Sequence, residues 1–386
     1  MESTTLYNHR NPFLATLLSR LPLCHEKCER DAYHLVMSIR GSHWHYTCGD
    51  SLAIFPKNSS EEVSQVLQGL QLNASEQVSL PKEGGTKTLQ IALEEIFCIT
   101  HLTKHFLEFL GQNISSQEDI SRYRTIPFGD TKDFEIFLKN HTLLQILELF
   151  PSFRCNSQEL ADHLCPIAPR LYSIASSPTL FPDEIHLAIV IVRYRDIHGS
   201  ERQGLSTRYL SPQGTRIGDT IRCFLVHSHF GIPEDIRRDM IMVGPGTGVA
   251  PFRSFIWEYA AKRSAGEKTG RTWLFFGSHH RHSNFYYEEE WNTLMANGSL
   301  THLDLAFSRD QEEKIYVQHK LLEHGLEVAQ WILGGANFYI CGDAAFMAKD
   351  VEAALGQILF EHGSIQDTKT YLQTMRKEKR YMKDVY

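Results

Sequence analysis

From residue 239 onward the chain alternates between two hydrophobic periods, and this restricts its fold more than any other feature. Short apolar runs, DMIMVG, TWLFFGS, THLDLAFS and NFYICG, are each followed by a stretch with apolar residues at helical spacing. Those stretches are FRSFIWEYAAKR, YYEEEWNTLMANG, VQHKLLEHGLEVAQWIL and AAFMAKDVEAALGQILFEHG. Strands separated by helices of this length pair in parallel, and the crossovers cover both faces of the sheet. A doubly wound α/β unit is therefore expected at the C-terminal end.

Upstream the pattern is different. HLVMSI (34–39) and SLAIF (51–55) read as short strands around the Gly49-Asp50 turn. From Glu61 to about Cys165 the apolar residues fall at helical spacing, in EEVSQVLQGLQ, TLQIALEEIFCITHLTKHFLEFL and FEIFLKNHTLLQILELF. Strand-like runs then return as RLYSIAS (170–176), EIHLAIVIVRY (184–194), LSTRYL (205–210) and TIRCFLV (220–226). The expected architecture is an antiparallel β-domain over 1–235 carrying a helical insertion at about 61–165, then an α/β domain over 236–386. A length of 386 residues suits two or three domains.

Composition excludes some roles. A net charge of −7 gives no basic face for nucleic acid or an anionic membrane surface. LAIVIV (187–192), the longest apolar run, is far short of the roughly 20 residues that span a bilayer. The start MESTTLYNHRNPF lacks the apolar stretch of a secretory signal. A cytoplasmic protein without a nucleic-acid or membrane partner is expected. The eight cysteines are scattered and read as free thiols. CHEKC (24–28), HWH (43–45) and Cys48 are soft ligands that zinc accepts, but the CxxC spacing of zinc knuckles is missing and a chance grouping on a hairpin reads as well. HHRH (279–282) follows a strand and reads as solvated surface, so no metal site is assigned.

Five motifs carry chemistry. In IMVGPGTGVAPFRSF (241–255) a strand runs into Gly244, Gly246, Thr247 and Gly248, and a helix follows. Glycines let the backbone approach a diphosphate, and the helix start offers free N–H groups; a tight structural turn is the alternative. After LDLAF come Ser308 and Arg309, then Lys314, Ile315, Tyr316, Val317 and Gln318. Hydroxyl and cations at a strand tip suit the 2′-phosphate of NADP, where a carboxylate would suit NAD, and a tyrosine can stack on adenine. In PRLYSIASSP (169–178), Arg170 and Tyr172 share one strand face, and can offer a cation to a diphosphate and a ring to a flavin. QGLSTRYL (203–210) offers Gly204, Ser206 and Thr207 for further diphosphate contacts, and FYICGDAAFMAKDVEAAL (338–355) puts Cys341 at a strand end, as a ligand neighbour or a buried core thiol.

Taken in order, with YNHRNPF, Gly49-Asp50, HLAIVIVRY, SRD, KDVE and the closing RYMKDVY, these motifs resemble the FAD/NADP reductase half of the diflavin reductases over almost the whole chain. Within that family the likeness is greatest to the flavoprotein subunits of NADPH–sulfite reductases. The resemblance implies a ferredoxin-reductase-like fold: an antiparallel FAD-binding β-barrel with a helical insertion, followed by a doubly wound α/β NADP-binding domain. It implies FAD and NADPH as cofactors. Arg170, Leu171, Tyr172 and Ser173 match the flavin-binding strand, Ala188, Ile189 and Val190 a second strand beside the FAD, and Tyr194 the residue after it. Gln203, Gly204, Leu205 and Ser206 match the FAD diphosphate turn, and Thr100 a flavin contact in the helical insertion. Ser308, Arg309 and the run Lys314–Gln318 match the 2′-phosphate and adenine pocket, with Asp350 as a further NADP contact. Ser173, Cys341 and Asp384 match the polar group around the nicotinamide, and Tyr386 the terminal aromatic ring that covers the flavin.

Gln203 and Leu205 depart from the small residues the family prefers, and Val190 stands where glycine is expected. The family's flavodoxin-like FMN domain does not precede this sequence, so an FMN carrier is expected to be another protein. The implied activity is NADPH-dependent reduction of FAD, with electrons passed to a separate acceptor protein, a sulfite-reductase-type haemoprotein or a flavodoxin or other FMN protein. The rivals are a ferredoxin- or flavodoxin–NADP reductase, and a degenerate scaffold that binds nucleotide without turnover.

Overall fold

The computed structural model describes residues 7–25, 28–80, 84–196 and 199–386. The first six residues of MESTTLYNHRNPF, and Glu26 and Lys27 of CHEKC, lie outside the described residues.

Six antiparallel strands form the first sheet, in the spatial order Arg170–Ser173, Ser51–Ile54, Thr220–Val226, Phe13–Pro22, Ala32–Ser38 and Glu184–Val190. Every second residue points inward: Leu35 and Met37, Leu52 and Ile54, Ile185, Leu187 and Ile189, Ile221 and Cys223 fill one core. The two outer strands meet at a bridge between Ile174 and Leu187. The sequence reading contains no strand at Phe13–Pro22, because FLATLLSRLP does not alternate cleanly and its register with Ala32–Ser38 shifts between Leu17 and Ser19. LSTRYL, expected as a strand, is the helix Leu205–Tyr209. Its hydroxyl residues turn back on the local backbone: the Thr207 side chain donates to Gly204 O at 3.1 Å and accepts from Val192 N at 3.1 Å.

Among the described residues seven helices lie between Ser60 and His163, and each has a Ser, Thr, Asp or Asn N-cap whose side chain accepts a backbone N–H. They pack on a core of their own that includes Phe106, Leu110, Leu143, Ile146, Phe150 and Phe153. The run 88–110, whose apolar residues fall at helical spacing, forms two helices, Leu89–Glu95 and Lys104–Gln112. Between them the chain extends to pair with 165–167, through Cys98 N to Cys165 O at 2.8 Å and Ile167 N to Ile96 O at 2.7 Å. Thr103 then caps the second helix. Among the described residues no helix is long and apolar enough to cross a membrane.

The second sheet is parallel, in the order His302–Phe307, Thr272–Ser278, Met240–Val243, Asn337–Gly342, Tyr381–Val385. Its first strand in sequence lies in the centre. The chain winds outward on one side and then returns to the other, so a crevice opens at the C-terminal ends of Met240–Val243 and Asn337–Gly342. Helices Ala250–Ser264 and Glu288–Ala296 cover one face, and Val317–Glu323, Gly325–Leu333, Met347–Glu361 and Thr368–Lys377 the other. Of the two tyrosines in RYMKDVY, Tyr381 is the one in the core, 3% exposed.

Helix Ala250–Ser264 joins the two sheets. Arg253 donates to Ala175 O at 2.7 Å and to both oxygens of Glu290 at 2.8 and 3.0 Å. Ser254 Oγ donates to Ser176 O at 2.7 Å, and Glu258 accepts from the hydroxyls of Ser177 and Thr179 at 2.6 and 2.8 Å. Against this clamp lie the buried rings of His34 and His186, edge to face at 4.9 Å. Burial, and then the Arg253 cation, lower the pKa of His34 from 6.5 to about 2 and that of His186 to about 3.

Both imidazoles therefore stay neutral in the folded chain, while the unfolded chain protonates them below about 6.5. Stability is complete above that value and falls with pH below it, by at most about 1.4 kcal/mol per pH unit for each ring. Carboxylates such as Glu352, lowered from 4.5 to about 2, lose their contribution only below their ordinary value. The urea midpoint is expected to decline already between about pH 6.5 and 5; a flat midpoint there would show that the two rings take up protons in place.

Candidate active site

The strand Met240–Val243 ends in the loop Gly244–Val249, which Gly246 enters with φ +57°. A Cβ on Gly248 would lie 2.2 Å from Cys341 O, so only glycine lets this loop touch the next strand. Helix Ala250–Ser264 follows, with Pro251 in its first turn, where the missing N–H costs nothing. The loop and the tips of the neighbouring strands line a cleft of about 940 Å³. Gly246, Thr247, Val190 and Tyr386 line one part of it, and Ser308, Arg309, Lys314, Tyr316, Val317, Gln318 and Asp350 another.

At the second part, Ser308 N and Arg309 N continue the parallel ladder to Ser278 O and His279 O, each at 2.9 Å. The Arg309 guanidinium bonds the Glu29 carboxylate and lies 3.5 Å from His279 Nε2. Ser308 is buried and its hydroxyl donates to Ser278 O at 3.3 Å. Tyr316 is exposed at the start of Val317–Glu323, and Gln318 Nε2 donates to Asp350 Oδ2 at 3.3 Å. Ile315 packs against the core between these helices and the sheet instead of lining the cleft.

On the antiparallel side, Arg170 and Leu171 are exposed and Tyr172 donates its hydroxyl proton to Ser206 Oγ at 2.8 Å. This bond ties the edge strand to helix Leu205–Tyr209. The side chains of Ala188 and Ile189 do not face the cleft: Ile189 alternates into the sheet core, and Ala188 packs with Ala175 and Ala250 at the junction. Tyr194 is 42% exposed on the hairpin Arg193–Arg195 with Glu201–Gln203. Gln203 pairs with Arg193 in that hairpin, Gly204 caps the next helix, and a Cβ there would meet Val192 at 3.4 Å. Leu205, its first residue, is half-buried. Thr100 is also half-buried, its hydroxyl 3.5 Å from Cys98 Sγ, and does not line the cleft.

Three residues far apart in sequence meet where the two sheets face each other. Cys341 and Asp384 are register partners on adjacent parallel strands. Asp384 Oδ2 accepts from Ser173 Oγ at 2.8 Å and lies 3.9 Å from Cys341 Sγ. Burial, and then the Asp384 carboxylate, push the Cys341 thiol well above its ordinary value, so it is protonated and no nucleophile at neutral pH. Beside it, Tyr386 N donates to Gly342 O at 3.1 Å and Tyr386 O accepts from Ala344 N at 3.2 Å. The Tyr386 hydroxyl lies 3.4 Å from Thr247 Oγ1, and the residue is 67% exposed. Its backbone is anchored while its ring stands in solvent.

Sequence reasoning missed Arg30, His279 and Phe346, which also line the cleft, and Glu29, which reaches Arg309. His279 belongs to HHRH, which the periodicity made a surface loop. The cysteines of CHEKC are engaged as thiols: Cys28 Sγ donates to Arg30 O at 2.9 Å and accepts from Asn284 Nδ2 at 2.6 Å, and Cys24 Sγ accepts from Ala32 N at 3.3 Å.

Comparison with known proteins fits this geometry. A model described as "FAD binding domain" matches residues 6–122 and 130–209, about half the chain, and one described as "Oxidoreductase NAD-binding domain" matches 242–353. A sulfite reductase [NADPH] flavoprotein alpha-component of Bacillus subtilis is 39% identical over 98% of this chain and 62% of its own length. Proteins of the same description from Vibrio parahaemolyticus and Shigella flexneri are 37% and 36% identical, over 60% and 62% of their lengths. The chain thus spans about three fifths of these relatives. With both models matched in this order, the chain belongs to the flavoprotein family that joins an FAD-binding domain to an NAD-binding oxidoreductase domain.

Proposed function

We propose that this chain is an NADPH-dependent flavoprotein reductase that binds FAD between its two sheets and passes electrons to a separate acceptor protein. The observation that carries the reading is the meeting of Ser173, from the antiparallel sheet, with Asp384 and Cys341 at the C-terminal edge of the parallel one. On this reading the six-stranded sheet is the FAD-binding β-barrel, the helices between Ser60 and His163 are its insertion, and the domains divide at about residue 235. The relatives are named flavoprotein alpha-components of sulfite reductases, which supports a second sulfite-reductase component as acceptor; on this reading it is a haemoprotein, with an FMN or flavodoxin-type protein as the other candidate.

The residues present fit both groups. The cleft of about 940 Å³ suits a dinucleotide, and the position of Gly248 has no room for a side chain. Exposed Leu171, Tyr194 and Tyr386 are apolar or aromatic surfaces that a flat ring system would cover. When bound, FAD and NADPH supply the hydride transfer and the single-electron steps. The chain supplies position. Arg309, Ser308 and Lys314 would hold a 2′-phosphate, Tyr316 would stack on the adenine, and Gly246 to Gly248 would lie along the diphosphate. Arg170 and the turn Gln203–Ser206 would hold the FAD diphosphate, with Leu171, Tyr172 and Val190 beside the flavin. Ser173 keeps its proton directed at Asp384 Oδ2, which fixes the carboxylate, and the neutral Cys341 thiol fills the space next to it. Tyr386 would cover the flavin and turn aside for the nicotinamide. Alignment of the reacting atoms is where such a site gains most of its rate.

An anaerobic visible titration tests the proposal. The purified chain is expected to take up FAD, turn yellow, and bleach with NADPH more readily than with NADH; a chain that takes up no FAD overturns it. Arg309→Ala is expected to raise KM for NADPH about tenfold or more while changing that for NADH little, in line with the loss of a charge-assisted hydrogen bond. Equal effects on both coenzymes would refute the 2′-phosphate assignment. Tyr386→Ala is expected to narrow the ratio of kcat/KM for NADPH over NADH, and an unchanged ratio would count against a covering role for the ring.

A further inference from the structure

Arg309 does not stand open at its strand tip. Its guanidinium holds the carboxylate of Glu29, a residue 280 positions earlier in the chain, from the segment between strands Phe13–Pro22 and Ala32–Ser38 of the other sheet. The same oxygen, Glu29 Oε2, lies 3.5 Å from His279 Nδ1, and Arg309 lies 3.5 Å from His279 Nε2. One carboxylate thus engages both the Arg309 guanidinium and the His279 ring at that end of the cleft. We propose that Glu29 is a built-in competitor for the 2′-phosphate position, and therefore sets how strongly this chain distinguishes a 2′-phosphorylated dinucleotide from an unphosphorylated one. The inference rests on reading the cleft as a dinucleotide site.

The chemistry is an exchange of anions on one guanidinium. A phosphate monoester carries about −1.5 to −2 near pH 7 and offers three acceptor oxygens, whereas a carboxylate carries one charge and two oxygens. The dianion wins the exchange, but only after the carboxylate has been expelled, so its net affinity is lower than an empty fork would give. A free ribose 2′-hydroxyl needs no expulsion. It can donate to the carboxylate, as it does at sites selective for the unphosphorylated coenzyme. Glu29 therefore taxes one ligand and accommodates the other. The side chains of Arg309 and Glu29 are 43% and 55% exposed, so the effect is that of a solvent-screened pair, about two- to fivefold in affinity.

The test uses the FAD-loaded full chain and two fragments that differ only in the 2′-phosphate, adenosine 2′,5′-diphosphate and 5′-AMP, with dissociation constants from calorimetry at low ionic strength. Glu29→Gln is expected to tighten the diphosphate about two- to fivefold and leave 5′-AMP unchanged or weaker. On an Arg309→Ala background, Glu29→Gln is expected to tighten the diphosphate less than it does with Arg309 present, because the contested guanidinium is gone and only the His279 contact remains. Unchanged affinity for the diphosphate in Glu29→Gln, or equal tightening of both fragments, overturns the proposal and leaves the dinucleotide reading standing. If the unsubstituted protein binds neither fragment, the dinucleotide reading itself falls and this inference with it.

Discussion

The pairing of buried Arg253 with the partly exposed Glu290, and the hydrogen bonds grouped around it, decide how the two sheets meet. Arg253, Ser254 and Glu258 sit on one helix and bond successive residues of the segment Ala175–Thr179, which continues directly from the edge strand Arg170–Ser173. A buried charge without a partner costs several kcal/mol, so Arg253 has little choice of position. Its fork is satisfied by Glu290, by Ala175 O and by a face-on contact with the Tyr287 ring at 5.0 Å. The same helix begins at the glycine loop. A single rigid element thus sets both the loop that lines the cleft and the strand that carries Ser173.

That geometry explains how Ser173 reaches Asp384. The carboxylate lies on the last strand of the parallel sheet, in register with Cys341, and its height along the strand is set by main-chain pairing from Phe338 with Tyr381 to Gly342 with Val385. Ser173 is set by the clamp on the other side. A bond of 2.8 Å between them, across 211 residues of sequence, is a product of two independent constraints. Mutations in the clamp are therefore a matter of site geometry as well as stability.

Much of this was legible in the amino-acid pattern, and the exceptions have physical causes. The parallel sheet announces itself because its central strands are buried on both faces and read as near-unbroken apolar runs, as in MIMV and NFYICG. Phe13–Pro22 was hidden because several of its apolar residues, Leu14, Leu18 and Leu21, are exposed, so the alternation is blurred. The break in 88–110 depends on a partner segment some 65 residues later, which local periodicity does not register. At the candidate site, the glycine loop and the Ser308-Arg309 strand tip carry local signals. The proximity of Ser173, Cys341 and Asp384 has none, and was suggested by resemblance alone. Glu29 is the extreme case: nothing near it in sequence marks it, and its contact exists only because two sheets pack.

At Tyr386 an anchored backbone carries an exposed ring. Tyr386 N and O are both spent on the main chain of Gly342 and Ala344, so the last residue is held like the interior of a strand. Fraying is thereby suppressed at the position where chain ends ordinarily fray. The ring hydroxyl lies 3.4 Å from Thr247 Oγ1. Asp384, two residues earlier, is held in register with Cys341 by the same main-chain ladder. On the proposed function, an exposed ring on an anchored strand is what a covering group next to a fixed carboxylate requires.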